Sequence, residues 1–177
     1  MRLLLDACAL YPRLMRGALL GYAEAGGFAP LWSARILEEW RRAAERKQGP
    51  AAAMEAEAVA ARMRARFPQA EATGWEAVQT PERLPDPGDA HVLAAAVAGG
   101  ADGIVTLNIR DFPLRALGAR RLARLHPDAF LRAEWTPGGA LDAVLDEMAA
   151  AAPDLDFARA LKAAGLPRLA KARRGAG

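Results

Sequence analysis

The run Leu84–Pro113, LPDPGDAHVLAAAVAGGADGIVTLNIRDFP, decides the architecture of this 177-residue chain. Pro85, Pro87 and Gly88 keep its first residues in a turn, and Asp89 then opens a helix of small apolar residues that Gly99 and Gly100 stop. Ile104 to Leu107 follow as a short apolar run, the pattern of a strand buried on both faces of a parallel sheet. Asp111 lies just past the carboxyl end of that strand, where open α/β sheets place their ligands. Asp102 precedes the strand, belongs at the opposite edge, and is set aside.

Working outward, Arg2 to Leu5 reads as a first strand ending beside Asp6, followed by a helix from about Pro12 to Ala25 that Gly26 and Gly27 end. Phe28 to Trp32 reads as a second strand. Ser33 is placed to cap a helix running through Lys47, with Ile36, Leu37 and Trp40 at helical spacing. Gly49 and Pro50 separate it from an Ala-rich helix, Ala51 to Arg66. Trp75 to Val78 is expected as a strand, Pro81 to Gly88 as a loop, Ala119 to Leu125 as a last strand and Pro127 to Trp135 as a short helix. Alternating strands and helices predict an α/β fold with a parallel central sheet. Beyond Thr136 the pattern is purely helical, over Ala140 to Ala151, Leu155 to Ala164 and a basic end. About 40 residues seldom fold alone, so the division expected is a domain over 1–135 with a helical C-terminal extension over 136–177.

Composition excludes several classes. The longest apolar run, Val92 to Ala98, is far short of the ~20 residues a membrane span needs. Asp6, Arg13 and Arg16 interrupt what a signal peptide would keep apolar, so a cytoplasmic protein is expected. Cys8 is the only cysteine, which excludes an internal disulfide and a cysteine-based zinc site. The net charge is +3, yet six basic residues and no acid follow from Arg159 onward, leaving −3 for the rest. Arg110 to Arg124 adds five arginines against one aspartate beside the acidic strand end. Cations flanking a cluster of acids suit a phosphate-bearing polymer, although surface arginines are most often merely solvated.

Asp6 would emerge from three buried leucines, where an unpaired charge is costly unless a cation compensates it. Glu38 and Glu39 are adjacent and point about 100° apart on their helix, so at most one faces Asp6. Geometry separates the two only slightly, in favour of Glu39, with Ser33 and Arg42 towards the same edge. Asp89 at a helix start is explained equally well by the helix dipole. Asp86 reads as a turn residue and His91 as a packing residue. Thr106, Asn108 and Asp111 surround the strand exit; Asn108 brings no charge, and Asp111 is the better ligand. Clustered carboxylates with two histidines and one cysteine disfavour zinc and favour Mg²⁺ or Mn²⁺. Metal-assisted phosphodiester hydrolysis is the chemistry such a cluster performs. No phosphate-cradling GxxxxGK[ST] loop and no GxGxxG run is present.

Three segments carry a resemblance: LLLDACALYP around Asp6, WSARILEEWRR around Glu39, and the Leu84–Pro113 run around Asp89 and Asp111. In this order, over most of residues 1–113, they resemble the PIN-domain family, in particular its VapC-type toxin ribonucleases. HPDAFL at His126 to Leu131 and the GLPRLAKARR ending resemble a helical extension found in one branch. The resemblance implies a three-layer α/β/α fold and an Mg²⁺ or Mn²⁺ pocket built from Asp6, Glu39, Asp89 and a fourth acid. Many relatives have Asp where this chain has Asn108, and Asp111 takes its place. It further implies RNA as substrate, a cognate antitoxin protein as partner, and a homodimer; Arg42 and Arg110 are the candidate substrate contacts among the basic residues. Two other readings remain: a binding module for RNA or protein whose catalysis Asn108 has weakened, and a 5′ nuclease on DNA, for which the chain lacks duplex-binding elements.

Overall fold

The computed structural model describes residues 1–80 and 83–175. A four-stranded, all-parallel sheet of order β2-β1-β3-β4 lies between helices in an α/β/α arrangement. Its strands are β1 (Arg2–Leu5), β2 (Ala29–Leu31), β3 (Gly103–Val105) and β4 (Ala123–Leu125). The register pairs Leu4 with Leu31 and Ile104, and Ile104 with Arg124. Leu3, Leu4, Leu5, Ile104 and Val105 are wholly buried, as apolar runs of a sheet covered on both faces must be. Each such side chain contributes roughly 1.5–3 kcal/mol by leaving water.

Local sequence sets the helices that surround this sheet. The helix α1 (Ala7–Leu10) turns directly off β1, and α2 (Arg13–Glu24) follows Pro12. Ser33 accepts a hydrogen bond from the Ile36 amide at 3.2 Å and so starts α3 (Ala34–Gln48). Gly49, at φ 88°, ends that helix, and Pro50 at the first turn begins α4 (Pro50–Arg66). Ala53, Ala56, Ala60 and Met63 recur every three or four residues and form the buried side of α4, which packs along α3. The remaining helices are α5 (Ala90–Ala98), α6 (Leu114–Gly118), α7 (Pro127–Glu134), α8 (Ala140–Ala150), α9 (Phe157–Ala163) and α10 (Pro167–Arg174).

The C-terminal helices share the core of the sheet. Leu141, Leu145, Leu161, Leu166, Leu169 and Ala170 belong to the same buried cluster as β1 and β3. Gly17 and Gly21, one turn apart on α2, are what let α8 approach: a Cβ at Gly21 would stand 2.5 Å from Val144 Cγ1. Asp128, 2% exposed in α7, accepts the Arg168 amide at 3.0 and 3.1 Å and the Leu169 amide at 3.0 Å. That carboxylate satisfies the open amides at the start of α10 and fixes the helix against α7.

The strands expected at Phe28 to Trp32 and Ile104 to Leu107 shift by one or two residues, to Ala29–Leu31 and Gly103–Val105, and two further expectations change. Trp75 to Val78 is a 3₁₀ turn (Trp75–Ala77), because the chain meets the edge of β2 earlier, with Ala72 N donating to Trp32 O at 2.7 Å, and Gly74 at φ 70° then turns it away. The last strand is shorter than Ala119 to Leu125, since α6 and the turn through Arg121, at φ 57°, use the preceding residues. Pro81 and Glu82, the start of the expected Pro81 to Gly88 loop, lie outside the described residues. No helix among the described residues is long and apolar enough to cross a membrane.

Candidate functional site

Parallel strands put their carboxyl ends along one edge, and Asp6, Ser33 and Thr106 occupy that edge immediately after β1, β2 and β3. Asp6 is 5% exposed. Its amide continues the ladder to Val105 O at 3.1 Å, while its carbonyl accepts from Ala9 N and Leu10 N at the start of α1. The side chain is held as firmly: Oδ2 accepts the Thr106 hydroxyl at 2.6 Å and the Cys8 thiol at 3.1 Å. Thr106 Oγ1 in turn accepts Asn108 N at 2.9 Å, and Cys8 Sγ accepts Leu107 N at 3.2 Å. Burial, then the charge of Asp6, push the Cys8 thiol up to about 12, so it stays protonated and donates.

Asp89 ends the 3₁₀ turn Pro87–Asp89, whose start is capped by Asp86 Oδ1 accepting Gly88 N at 2.7 Å, and it leads into α5. Its Oδ2 is buried without a hydrogen-bond partner. Burial first, then the charges of Asp6, Asp86 and Asp111, push this carboxyl up to about 6, with His91 acting in the opposite sense. Asp6 and Asp111, from two distant segments, therefore both lie within electrostatic range of Asp89. Asp111 is half-buried on the loop after β3, next to the wholly buried Phe112. Arg124 of β4 ties that loop down, its guanidinium donating to Ile109 O at 2.8 Å and Phe112 O at 3.0 Å. Asn108 and Arg110, on the same loop, are exposed.

Glu39 is paired where Asp89 is not, and it shares His91 with that residue. Its Oε1 accepts His91 Nε2 at 2.8 Å and Arg35 Nε at 3.5 Å. Burial opposes ionisation, but the His91 hydrogen bond and charge, with Arg35, hold the carboxyl below the ordinary glutamate value. The His91 ring packs edge-on to Trp75, with 6.0 Å between ring centroids, and its buried Nδ1 has no partner. Glu38 turns away to Arg41 and Arg42, the latter at 2.6 Å. Arg42 is thus exposed but already paired with an acid, and Ser33 is wholly buried as the cap of α3.

The donor chemistry suits a hard, hydrated cation. The orphaned carboxylate oxygen of Asp89, beside acids that raise it, is what a divalent ion would relieve. Among the described residues no three His, Cys, Asp or Glu side chains close into a ready metal cage. Mg²⁺ commonly binds through one or two carboxylates and keeps several waters, so a preformed cage is not needed. Two contributors escaped the sequence: Cys8 gave only its spacing two residues after Asp6, and Arg124 no local sign, whereas His91, read as a packing residue, packs on Trp75 and also donates to Glu39.

Comparison with known proteins follows the same outline. A family model described as the PIN domain matches residues 2–110. Over 43 residues the chain is 54% identical to a protein of Mycobacterium tuberculosis (strain ATCC 25618 / H37Rv) named "Putative ribonuclease VapC50"; the match spans 24% of this chain and a quarter of that relative's length. No solved structure matches the chain.

Proposed function

Since the chain belongs to the PIN-domain family, we propose that it is a divalent-metal-dependent endoribonuclease and the toxin of a type II toxin–antitoxin pair. The observation that carries this is the buried, partnerless Asp89 Oδ2 among Asp6, Asp86 and Asp111. Asp6, Asp89 and Asp111 would hold Mg²⁺ or Mn²⁺, with Glu39 at the margin through the oxygen that His91 leaves open. A bound cation supplies the charge that activates water and steadies the leaving oxygen at phosphorus. Thr106 and Cys8 keep Asp6 in one orientation by donating to a single oxygen, which leaves the other for the ion. Asn108 has its backbone anchored on Thr106 and its side chain exposed, where it can orient a phosphate. Arg110 is exposed on the same loop and would contact the RNA backbone, whereas Arg42 would first have to leave Glu38. In this reading residues 1–135 form the nuclease unit, 136–177 its helical extension, and a cognate antitoxin covers the acids in the resting complex.

The test is cleavage of a single-stranded RNA by the pure protein with Mg²⁺ or Mn²⁺. Cleavage is expected with the metal, lost on chelation and lost in Asp6→Asn; growth arrest on expression, abolished by the same substitution, tests the toxin role. The missing metal cage and Asn108 favour a second reading, a PIN-fold binding module without turnover. RNA binding with no cleavage under either metal would establish that reading instead.

A further inference from the structure

The chain's remaining unexplained feature is its C-terminal charge. Arg159, Lys162, Arg168, Lys171 and Arg174 are exposed on α9 and α10, and no acid follows Asp156. On α3, by contrast, Arg35, Arg41 and Arg42 all pair with glutamates. Among the described residues these five cations make no ion pair, while Arg173 alone of α10 turns to Asp142 and Asp146 on α8. Arg168, Lys171 and Arg174 recur every three residues on the side away from the buried Leu169 and Ala170.

Position gives this surface its meaning. In the order β2-β1-β3-β4, β4 stands two strands from β1, about 10 Å at the usual strand spacing. Because all pairings are parallel, β4 ends at the same edge as Asp6, with Thr106 N donating to Leu125 O at 3.0 Å. The helix α7 begins there, His126 Nδ1 accepting Asp128 N at 3.2 Å, and Asp128 seizes the first amides of α10. The first turn of α10, with Arg168, is therefore seated on Asp128, three residues past the end of β4, and the helix runs from there towards Asp142 and Asp146 of α8.

We propose that α9 and α10 form an interaction surface for the substrate strand, on which Arg168, Lys171 and Arg174 bind RNA phosphates several nucleotides from the acids. This rests on the ribonuclease reading above. Cations placed to one side of the acid edge bind a polymer that extends past the cut, so they act on affinity and length preference and leave the chemical step alone.

The experiment compares Arg168→Gln/Lys171→Gln/Arg174→Gln with its parent, using a 20-nucleotide single-stranded RNA and a 4-nucleotide one. All three positions are exposed, so an unchanged Tm is expected and is checked first. Binding is read in an Asp89→Asn background at several salt concentrations. The triple variant should lose about two units of log–log salt slope, from three lost contacts at about 0.7 each. In the Asp89 protein, KM for the 20-mer should rise about tenfold with kcat unchanged, the 4-mer should be cut as before, and Arg168→Lys/Arg174→Lys should restore binding. An unchanged salt slope and KM overturns the proposal, and the more firmly if the variant also loses binding to a polyglutamate peptide that the parent retains, which would mark the surface as one for an acidic protein. Charge-dependent binding to RNA by a parent that never cleaves it leaves this surface standing and removes only the nuclease reading.

Discussion

Two sets of acids meet near one sheet edge and are treated in opposite ways. On the strand side, Asp89 is pushed up to about 6 by burial and by Asp6, Asp86 and Asp111, and one of its oxygens has no partner. On the helix side, Glu39 is drawn below its ordinary value by His91 and Arg35. The fold has spent hydrogen bonds on neutralising one acid and has left the other in repulsion. A partly buried like-charge cluster is a cost to stability, one that a bound cation would offset. Hydrogen-bond partnership, more than proximity, is what separates the raised carboxyl of Asp89 from the lowered one of Glu39.

The largest effect expected is at the repelling side. Asp89→Asn should lower RNA cleavage by about 10²-fold or more, since a group that steadies reacting charge is lost, while thermal stability above pH 6 rises. A raised carboxyl binds its proton more tightly when folded, so its stabilisation is complete below about 3.8 and fades as pH climbs through about 6. Wild-type Tm should therefore fall across that window more steeply than that of Asp89→Asn, and Mg²⁺ or Mn²⁺ should restore Tm in the wild type alone. Equal pH profiles in calorimetry would erase the contrast.

Next comes the support of Asp6. Thr106→Val removes a 2.6 Å hydrogen bond to a buried carboxylate and should cost about 1–3 kcal/mol in urea unfolding. Cleavage should drop with it. Cys8→Ser, which keeps a donor at that place, should cost less than Cys8→Val in the same assay.

The smallest effect belongs to the paired side. His91→Phe leaves the Trp75 contact a ring to pack on and frees Glu39, whose titration should move up towards the ordinary glutamate value, followed by NMR. Glu39 works in the opposite sense to Asp89: its contribution is present above its ordinary pKa and is lost as pH falls through the depressed one. The variant should lose that acid-side dependence and change cleavage by less than tenfold. A loss as large as that of Asp89→Asn would make the two sides equivalent.

Much of this was legible in the chain. Arg2 to Leu5 and Ile104 to Leu107 read as buried strands, the latter ending two residues sooner at Val105, and Ser33 and Gly49 bracketed α3; Asp6 was singled out by its place at a strand end, and Asp89, at a helix start, only by the family resemblance. Those readings depend on nearest neighbours, which one sequence contains. Trp75 was misread because Trp and Val favour strands in isolation, whereas Gly74 and the earlier docking at Ala72 decided the turn.

The sequence by itself determined the alternation of elements, the parallel sheet and the presence of carboxylates at strand ends, because hydrophobic period and turn chemistry are local. The tertiary structure alone decided which acids repel and which are paired: His91 reaches Glu39 across 52 positions, and Arg124 clasps the Asp111 loop from the neighbouring strand. It also decided that Asp128 would anchor the start of α10, 40 residues on. Burial and partnership depend on how distant segments meet, and it is those two properties that set a carboxylate's charge.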